Sequence, residues 1–169
     1  DGIAAHIAGV GAAVSVTDAD GDGWMDVYVV TNAHGAPNAL FHNEGDGTFE
    51  DLAARAGLAD LHHDGLGCSM GSVWADWDND GDSDLFVYKW GRSQLFRNDG
   101  ELRFTDVTAD SGLGEWRNTN CAVWLDYDRD GLLDLYICGY FRDDVDLWNL
   151  KSTRIMQESF EFARNGGHN

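Results

Sequence analysis

Three nine-residue segments of this chain place aspartate at positions 1, 3, 5 and 9 and glycine at position 6. They are residues 18–26 (DADGDGWMD), 76–84 (DWDNDGDSD) and 126–134 (DYDRDGLLD), called loops 1, 2 and 3 below. Two carboxylates about 4 Å apart repel each other by about 4 kcal/mol at an effective dielectric constant of 20. Four of them in one tight loop therefore favour a hard cation, and Ca2+ takes about six to eight oxygen ligands in a flexible shell.

The predicted ligands are the carboxylates at positions 1, 3, 5 and 9 and the backbone carbonyl at position 7 of each loop. These residues are Asp18, Asp20, Asp22, Trp24 and Asp26; Asp76, Asp78, Asp80, Asp82 and Asp84; and Asp126, Asp128, Asp130, Leu132 and Asp134. An EF-hand would need Glu at position 12 and flanking helices, but position 12 here is Val29, Val87 or Ile137. We therefore predict three structural Ca2+ sites outside the EF-hand class; the alternative is an acidic hairpin tip without metal.

The charge balance limits the classes of partner. The chain has 169 residues and a net charge of −19, from 11 basic and 30 acidic side chains, and 13 of the acids lie in the three loops. Nucleic acids and anionic membranes are recognised by clustered Lys and Arg, so we expect neither as a partner. No run of about 18 apolar residues occurs, which argues against membrane insertion.

The loops belong to a longer repeat. Loop 1 maps onto loop 2 with a shift of 58 residues (Asp18 to Asp76), and a second set of matches has a shift of 55. That set pairs Leu40, Phe41, Asn43, Gly45, Phe49, Asp51, Gly57 and Leu58 with Leu95, Phe96, Asn98, Gly100, Phe104, Asp106, Gly112 and Leu113. A period of about 50–60 residues indicates an array of structural units.

Each unit predicts four short strands, and the acidic loop joins the first two. Strand one is small and apolar (12–16, 71–75, 121–125), and strand two is almost continuously apolar (27–30, 85–88, 135–138). Such runs are typical of strands buried on both faces, as in one sheet stacked between two others. We therefore predict an all-β fold of β-propeller blades, each a four-stranded antiparallel sheet.

The predicted units are blade 1 (about 11–58), blade 2 (about 69–113), the first hairpin of blade 3 (about 120–140) and an insertion (about 141–167). Within the insertion, a short helix is predicted over about 153–164. Two and a half blades cannot close a ring, since propellers have about four to eight. We expect either a fragment of a longer polypeptide or an assembly in which other copies supply the missing strands.

Cysteines and tryptophans leave alternatives open. Cys68, Cys121 and Cys138 have no C-x-x-C spacing, which favours free thiols; Cys121 and Cys138 flank loop 3, so a disulfide between them is the alternative. Trp74 and Trp124 occupy equivalent strand-one positions, which indicates core packing. The other tryptophans are predicted in or near loops, where a sugar platform is an alternative: Trp24, Trp77, Trp90, Trp116 and Trp148.

The loops, together with LFHNEGDGTFEDLAARAGL and LFRNDGELRFTDVTADSGL, resemble FG-GAP/VCBS repeats, the units of the integrin α-chain propeller. The variant is similar to that of the cartilage acidic protein family and of bacterial proteins with an ASPIC/UnbV domain. The resemblance covers about residues 1–140 and stops at the insertion. It implies a calcium-bound propeller, usually seven-bladed, in a secreted or cell-surface protein.

We predict an extracellular module that recognises a protein or carbohydrate ligand through its propeller loops, with Ca2+ in a structural role. The alternatives are a structural subunit of a surface assembly or filament, with self-association, and a non-catalytic propeller within a larger secreted enzyme. Catalysis by this segment is not expected, because Ser and His form no G-x-S-x-G or similar motif and the regularly spaced carboxylates are assigned to metal.

Overall fold

The computed structural model describes residues 12–33, 35–62 and 65–139. These ranges contain ten β-strands and one short helix, which we number in chain order. The strands are β1 (Ala13–Thr17), β2 (Asp26–Val30), β3 (Ala39–Asn43), β4 (Phe49–Asp51), β5 (Gly67–Ala75), β6 (Asp84–Arg92), β7 (Gln94–Asn98), β8 (Phe104–Asp106), β9 (Trp116–Leu125) and β10 (Asp134–Gly139), and the helix is α1 (Thr108–Ser111). The all-β prediction is confirmed.

The first sheet is four-stranded and antiparallel, in the order β1-β2-β3-β4. Side chains alternate between its faces as a pleated strand requires. Tyr28 and Leu40 are cross-strand partners on the buried face. Val14 and Val16 lie on the opposite face and are 64% and 56% exposed. One face of this sheet is therefore covered within the described residues and the other is not.

The second sheet has six strands, in the order β10-β9-β6-β7-β8, with β5 also paired to β6. Strand β6 has two successive neighbours along its length. Its first half pairs with β7 over Leu85–Val87, and its last three residues pair with β9. The second repeat is thus joined to the third by main-chain hydrogen bonds as well as by packing.

Among the residues described, two hydrophobic clusters hold the units together. The first lies between the two sheets and joins Tyr28, Val30 and Leu40 to Leu85 and Phe96. The second lies between the second repeat and the β9–β10 hairpin. Its members are Phe86, Leu95 and Ala122, with Val73, Trp77, Tyr88, Val107, Leu113, Trp124, Leu135 and Ile137 packed against them.

Strand β6 supplies side chains to both clusters, because successive residues point to opposite faces. Leu85 and Val87 enter the first cluster, Phe86 enters the second, and all three have no exposed surface. Burial on both faces, predicted from the apolar run, is confirmed for β6. In β2 the burial alternates instead, because the described part of the chain covers only one face of the first sheet.

The tryptophans divide between core and surface. Trp74 and Trp124 pack against the first and second clusters, which confirms their predicted role. The interpretation of Trp90 as a loop residue is wrong: it lies in β6 and is 7% exposed, because β6 continues past its predicted end. Trp77 packs against the second cluster, whereas Trp24 is 51% exposed.

Several predictions lie beyond what these sheets test. The insertion at 141–167, its helix over 153–164 and Trp148 are outside the described residues. Among the residues that the structure describes, the sheets close no ring, and the blade boundaries and total blade number stay predictions. No helix in the described ranges is long and apolar enough to cross a membrane.

Candidate metal-binding loops

The three acidic loops share one set of internal hydrogen bonds. In every loop, the position-6 N–H donates to the position-1 carboxylate, at 2.9 Å in loop 1, 3.0 Å in loop 2 and 3.2 Å in loop 3. The position-5 N–H donates to the position-3 carboxylate at 3.2–3.3 Å. The position-7 N–H donates to the position-5 carboxylate at 2.8–3.0 Å. Backbone amides thus orient three carboxylates of each loop from within.

Positive φ angles bend each loop at two positions. Gly23, Gly81 and Gly131 at position 6 have φ of 92°, 101° and 89°, a conformation that glycine adopts readily. Position 4 also has positive φ, although only loop 1 has glycine there; Asn79 and Arg129 adopt 60° and 64°. Glycine is therefore not required at position 4 for this turn.

The aspartate at position 9 anchors each loop to the start of strand two. Asp26 and Asp84 are 1% and 0% exposed. In all three loops this carboxylate accepts a hydrogen bond from the position-2 N–H, at 2.9–3.1 Å. In loops 1 and 2 its other oxygen accepts the N–H of Asn43 or Asn98 at the end of strand three. The carboxylate thus links the loop to two strands of its sheet.

Carboxylate oxygens converge within 4.8 Å of one another in each loop. The groups are Asp18, Asp20 and Asp22; Asp76, Asp78 and Asp84; and Asp126, Asp128 and Asp134. Of the predicted carboxylate ligands, Asp80 and Asp130 lie outside these groups, and Asp26 instead groups with Asp20 and His42. At position 7, the N–H groups of Trp24, Asp82 and Leu132 donate to the position-5 carboxylates, and metal binding by their carbonyl groups stays a prediction. A donor set made of carboxylate oxygens fits a hard cation such as Ca2+.

Sequence reasoning missed His42, which lies on β3 beside loop 1. Its Nδ1 is 3.1 Å from Asp26 Oδ1 and 3.6 Å from Asp20 Oδ2. Burial disfavours the imidazolium, but the Asp20 and Asp26 carboxylates outweigh burial and raise the pKa of His42. The residue at the equivalent position in the second repeat is Arg97, which binds Asp99 instead at 2.7 Å. The shift of 55 aligns the two positions, so the difference is visible in the repeat alignment.

Burial and neighbouring carboxylates disfavour the charged form of several loop aspartates and raise their pKa values. Burial, then the neighbouring Asp80 and Asp76 carboxylates, raises the pKa of Asp78. Burial raises the pKa of Asp84 to about 6, although N–H groups of Asn98 and Trp77 oppose the shift. Burial and the Asp22 carboxylate also raise the pKa of Asp20. A bound cation would remove this repulsion and favour the ionised carboxylates.

A cleft of about 400 Å3 opens beside loop 1, where the first sheet meets the β7–β8 turn of the second. Its lining is mostly acidic, with His42 and Arg55 as the basic side chains and two leucines, Leu52 and Leu102, that are largely buried. The acidic residues are Asp20, Asp22, Glu44, Glu50 and Glu101. Two carboxylates therefore belong both to loop 1 and to the cleft wall.

Comparison with known proteins places these loops in a family. Residues 18–87 and 76–137 each match the model of the FG-GAP-like repeat. The chain belongs to the FG-GAP-like repeat family. Each matched segment begins at position 1 of one acidic loop and continues into the strand that follows the next loop. The resemblance predicted from the loops is thereby confirmed.

Cartilage acidic protein 1 from three vertebrates is similar to this chain. The human protein is 42% identical over 77 residues (43% of the chain), the mouse protein 37% over 112 residues (64%) and the Xenopus tropicalis protein 39% over 75 residues (42%). The matched segments span only 11%, 16% and 11% of these relatives. The predicted similarity to cartilage acidic protein is confirmed over that part.

Proposed function

We propose that this chain is a calcium-binding extracellular β-propeller module for recognition or adhesion, in which Ca2+ is structural. The observation that carries the proposal is the common construction of the three loops. Each loop orients its carboxylates through the same N–H donors and brings three of them within 4.8 Å. The similarity to cartilage acidic protein 1 supports the extracellular location.

The structural role follows from the position of the loops in the sheets. Loop 1 joins β1 to β2, loop 2 joins β5 to β6, and loop 3 joins β9 to β10. Asp84 of loop 2 also accepts the N–H of Asn98, and the Asn98 side chain donates to Ala19 O of loop 1 at 2.8 Å. A cation held by these loops would therefore stabilise single sheets and the contact between two of them.

Calcium titration tests this proposal. When Ca2+ is titrated into the metal-free chain, we expect the calorimetric binding curve to fit three sites. We expect EGTA to lower the melting temperature by at least several degrees. Asp78→Asn keeps the side-chain shape and removes one charge, so we expect it to abolish one site. Asp110→Asn, on α1 outside the loops, is the control and keeps all three. A melting temperature unchanged by EGTA would reject the structural role of Ca2+.

The propeller arrangement is supported by apolar faces at both ends of the described stack. Phe41 is 38% exposed on the outer face of the first sheet, while Val123 and Tyr136 are each 47% exposed on the β9–β10 hairpin. Tyr127, at position 2 of loop 3, is 81% exposed, whereas Ala19 at the equivalent position of loop 1 is buried by the next repeat. Further blades would cover such faces. The same faces favour the second candidate, a structural subunit whose copies self-associate.

Light scattering separates these two candidates. A structural subunit predicts that the chain forms oligomers that dissociate when Val14 and Val16 are both changed to Thr. A blade of a longer propeller predicts that, in a polypeptide that contains the remaining blades, changing Val14 and Val16 to Thr leaves the oligomeric state unchanged.

The recognition role is supported by the cleft beside loop 1. Its acidic lining and two leucines suit a protein ligand that offers a basic side chain on an apolar surface. A carbohydrate ligand is the alternative. Among the described residues, the exposed tryptophan that could stack against a sugar ring is Trp24. Binding to Lys- and Arg-containing peptides that weakens with salt, and is lost in Glu50→Gln, would support the protein ligand. Binding to neutral glycans that is lost in Trp24→Ala would support the carbohydrate. We expect no catalytic role for this module.

A further inference from the structure

The two cysteines that flank loop 3 are direct partners across the β9–β10 hairpin. Cys138 pairs with Cys121 in the antiparallel register, next to the pairs Ile137–Ala122 and Tyr136–Val123. Residues two apart on a strand share a face, so both thiols lie on the face that carries Tyr136 and Val123. Cys121 is exposed and Cys138 is partly exposed, and the two thiols are not joined in the structure.

The geometry of such a pair is close to that of a disulfide. Directly opposite residues of antiparallel strands have Cβ atoms about 4.5–5.5 Å apart, and a disulfide needs about 3.5–4.5 Å. The register shifts immediately after this pair, between Cys138 and Gly139. A bulge at that point lets the strand bend locally, so the approach of about 1 Å does not require the rest of the hairpin to move.

The third cysteine provides an internal contrast. Cys68 lies on β5 opposite Trp90, is 2% exposed and is buried beside the carbonyl of Asn32. Burial raises the pKa of the Cys68 thiol to about 11, which disfavours the reactive thiolate. The chain thus contains one shielded cysteine and one accessible pair.

We propose that Cys121 and Cys138 form a cross-strand disulfide that closes the hairpin around loop 3. The oxidant is a small-molecule disulfide. The Cys121 thiol, after losing its proton, attacks one sulfur of that disulfide and releases the first small thiol. The Cys138 thiolate then attacks the Cys121 sulfur of the mixed disulfide and releases the second. Two protein thiols lose two electrons and two protons, and the oxidant becomes two thiols.

The link would act where the fold provides least support. Within the described residues, the third repeat contributes two strands, and the convergent carboxylates Asp126, Asp128 and Asp134 are all exposed, whereas Asp84 of loop 2 is buried. A covalent bond between Cys121 and Cys138 closes the hairpin into a ring. It therefore restricts the conformations of loop 3 in the unfolded chain. The two cysteines are brought together by strand register, with or without a bound metal.

Peptide mapping tests the bond directly. The full chain is incubated with oxidised glutathione under native conditions, alkylated in denaturant without reductant, and digested with trypsin. Cleavage after Arg117, Arg129 and Arg142 separates the cysteines into peptides 118–129 and 130–142. We expect these two peptides to be recovered joined, and to separate on reduction, with Cys68 alkylated throughout. Recovery of both peptides alkylated, or of either joined to the Cys68 peptide, would overturn the proposal.

Single substitutions keep the test independent of folding defects. In Cys138→Ser the second exchange step is missing, so we expect Cys121 to remain as a mixed disulfide with glutathione. In Cys68→Ser the 118–129 and 130–142 peptides should still be joined. Chains linked between molecules in the wild type, at the expense of the internal bond, would also contradict the proposal.

Discussion

The first and second sheets are built from the same repeat but differ in how much of each is buried. Strands β1 and β2 have five residues each, whereas β5 and β6 have nine. The strands of the second repeat, β5–β8, are covered on both faces, by the first sheet and by the β9–β10 hairpin, whereas within the described residues the first sheet is covered on one. The repeat therefore specifies the fold of a unit, while its neighbours decide how stable that unit is, as in other repeat proteins.

Equivalent residues show this most directly. Phe96 of the second repeat corresponds to Phe41 of the first, and both occupy strand three on the same face of their sheets. Phe96 is 4% exposed and belongs to the cluster between the sheets, whereas Phe41 is 38% exposed. The two positions have the same side chain and differ in what covers it.

Changing these two phenylalanines to alanine gives the largest expected contrast. We expect Phe96→Ala to lower the free energy of unfolding by about 3–5 kcal/mol, the usual cost of removing a buried aromatic ring. Phe41→Ala should cost about 1 kcal/mol, because the ring is already partly in water. Urea unfolding of both variants measures the difference.

Equal costs at Phe41 and Phe96 would contradict the view that neighbours set stability. A longer polypeptide sharpens the comparison. If a further blade covers the first sheet, the cost of Phe41→Ala should approach that of Phe96→Ala.

The asparagines that end strand three give the next contrast. Asn98 is 1% exposed and donates from Nδ2 to Ala19 O at 2.8 Å and to Ser83 O at 3.1 Å. The equivalent Asn43 side chain donates, within the described ranges, to Met25 O alone, at 3.3 Å. Because removal of the Asn98 amide leaves two carbonyls without this donor, we expect Asn98→Ala to cost about 2 kcal/mol and Asn43→Ala under about 1 kcal/mol.

Thermal or urea unfolding measures these costs. Calorimetry adds a second readout, because Ala19 belongs to loop 1 and Asn98 to the neighbouring repeat. We expect Asn98→Ala to weaken Ca2+ binding at loop 1 as well as at loop 2. Identical costs for the two asparagines would show that the bond to Ala19 contributes nothing to the contact between sheets.

The extension of β6 supplies a third contrast, because it buries a lysine with no counterpart in the first repeat. Lys89 has no exposed surface and donates from Nζ to Leu61 O and Gln94 Oε1. Burial lowers its pKa from 10.5 to about 8, although Asp106 and Cys68 oppose the shift. Between pH 8 and 10.5 the unfolded chain binds more protons here than the folded chain, so this group makes stability rise with pH.

From pH 7.5 to 9.0 we expect the Lys89 contribution to raise the free energy of unfolding by about 1 kcal/mol. The equivalent position of the first repeat is Thr31, which does not titrate. Subtracting the pH dependence of Lys89→Met from that of the wild type isolates the effect in urea unfolding. The same pH dependence in both proteins would show that Lys89 is charged equally in the folded and unfolded states.

How much the sequence predicts follows from the range of each interaction. The loops and strands are formed by residues close together in sequence, so the spacing of aspartates and apolar residues was enough to place them. The same spacing identifies the equivalent residues of the repeats. The pairing of β6 with β9 joins residues far apart in sequence, such as Trp90 and Asn118. No periodic pattern records that pairing, and the burial of Trp90 and Lys89 was missed with it.

The candidate site divides in the same way. The spacing of aspartates within nine residues predicts that carboxylates meet in each loop, and they do so at positions 1, 3 and 5 of loop 1 and at positions 1, 3 and 9 of loops 2 and 3. The contribution of His42 depends on how strand three lies beside the loop, which spacing within the loop does not contain. An alignment of the repeats shows that Arg97 occupies the corresponding position. The fold is needed to show that His42 contacts Asp26 whereas Arg97 contacts Asp99.

The smallest expected contrast concerns the turns after strand three. Gly45 and Gly100 are equivalent and have φ of 73° and 80°, so an alanine at either position costs roughly 1 kcal/mol in backbone strain. A Cβ on Gly45 would lie 2.6 Å from Trp24 Nε1, whereas one on Gly100 meets Asp82 Oδ2 at 3.4 Å. Because Trp24 is half exposed, its ring can move away, and the two costs should differ by only a few tenths of a kcal/mol.

The indole N–H resonance of Trp24 should nevertheless shift in Gly45→Ala and stay unchanged in Gly100→Ala. A cost at Gly45 more than about 2 kcal/mol above that at Gly100 would mean that the Trp24 ring is held in place, and loop 1 would then be the more rigid of the two loops.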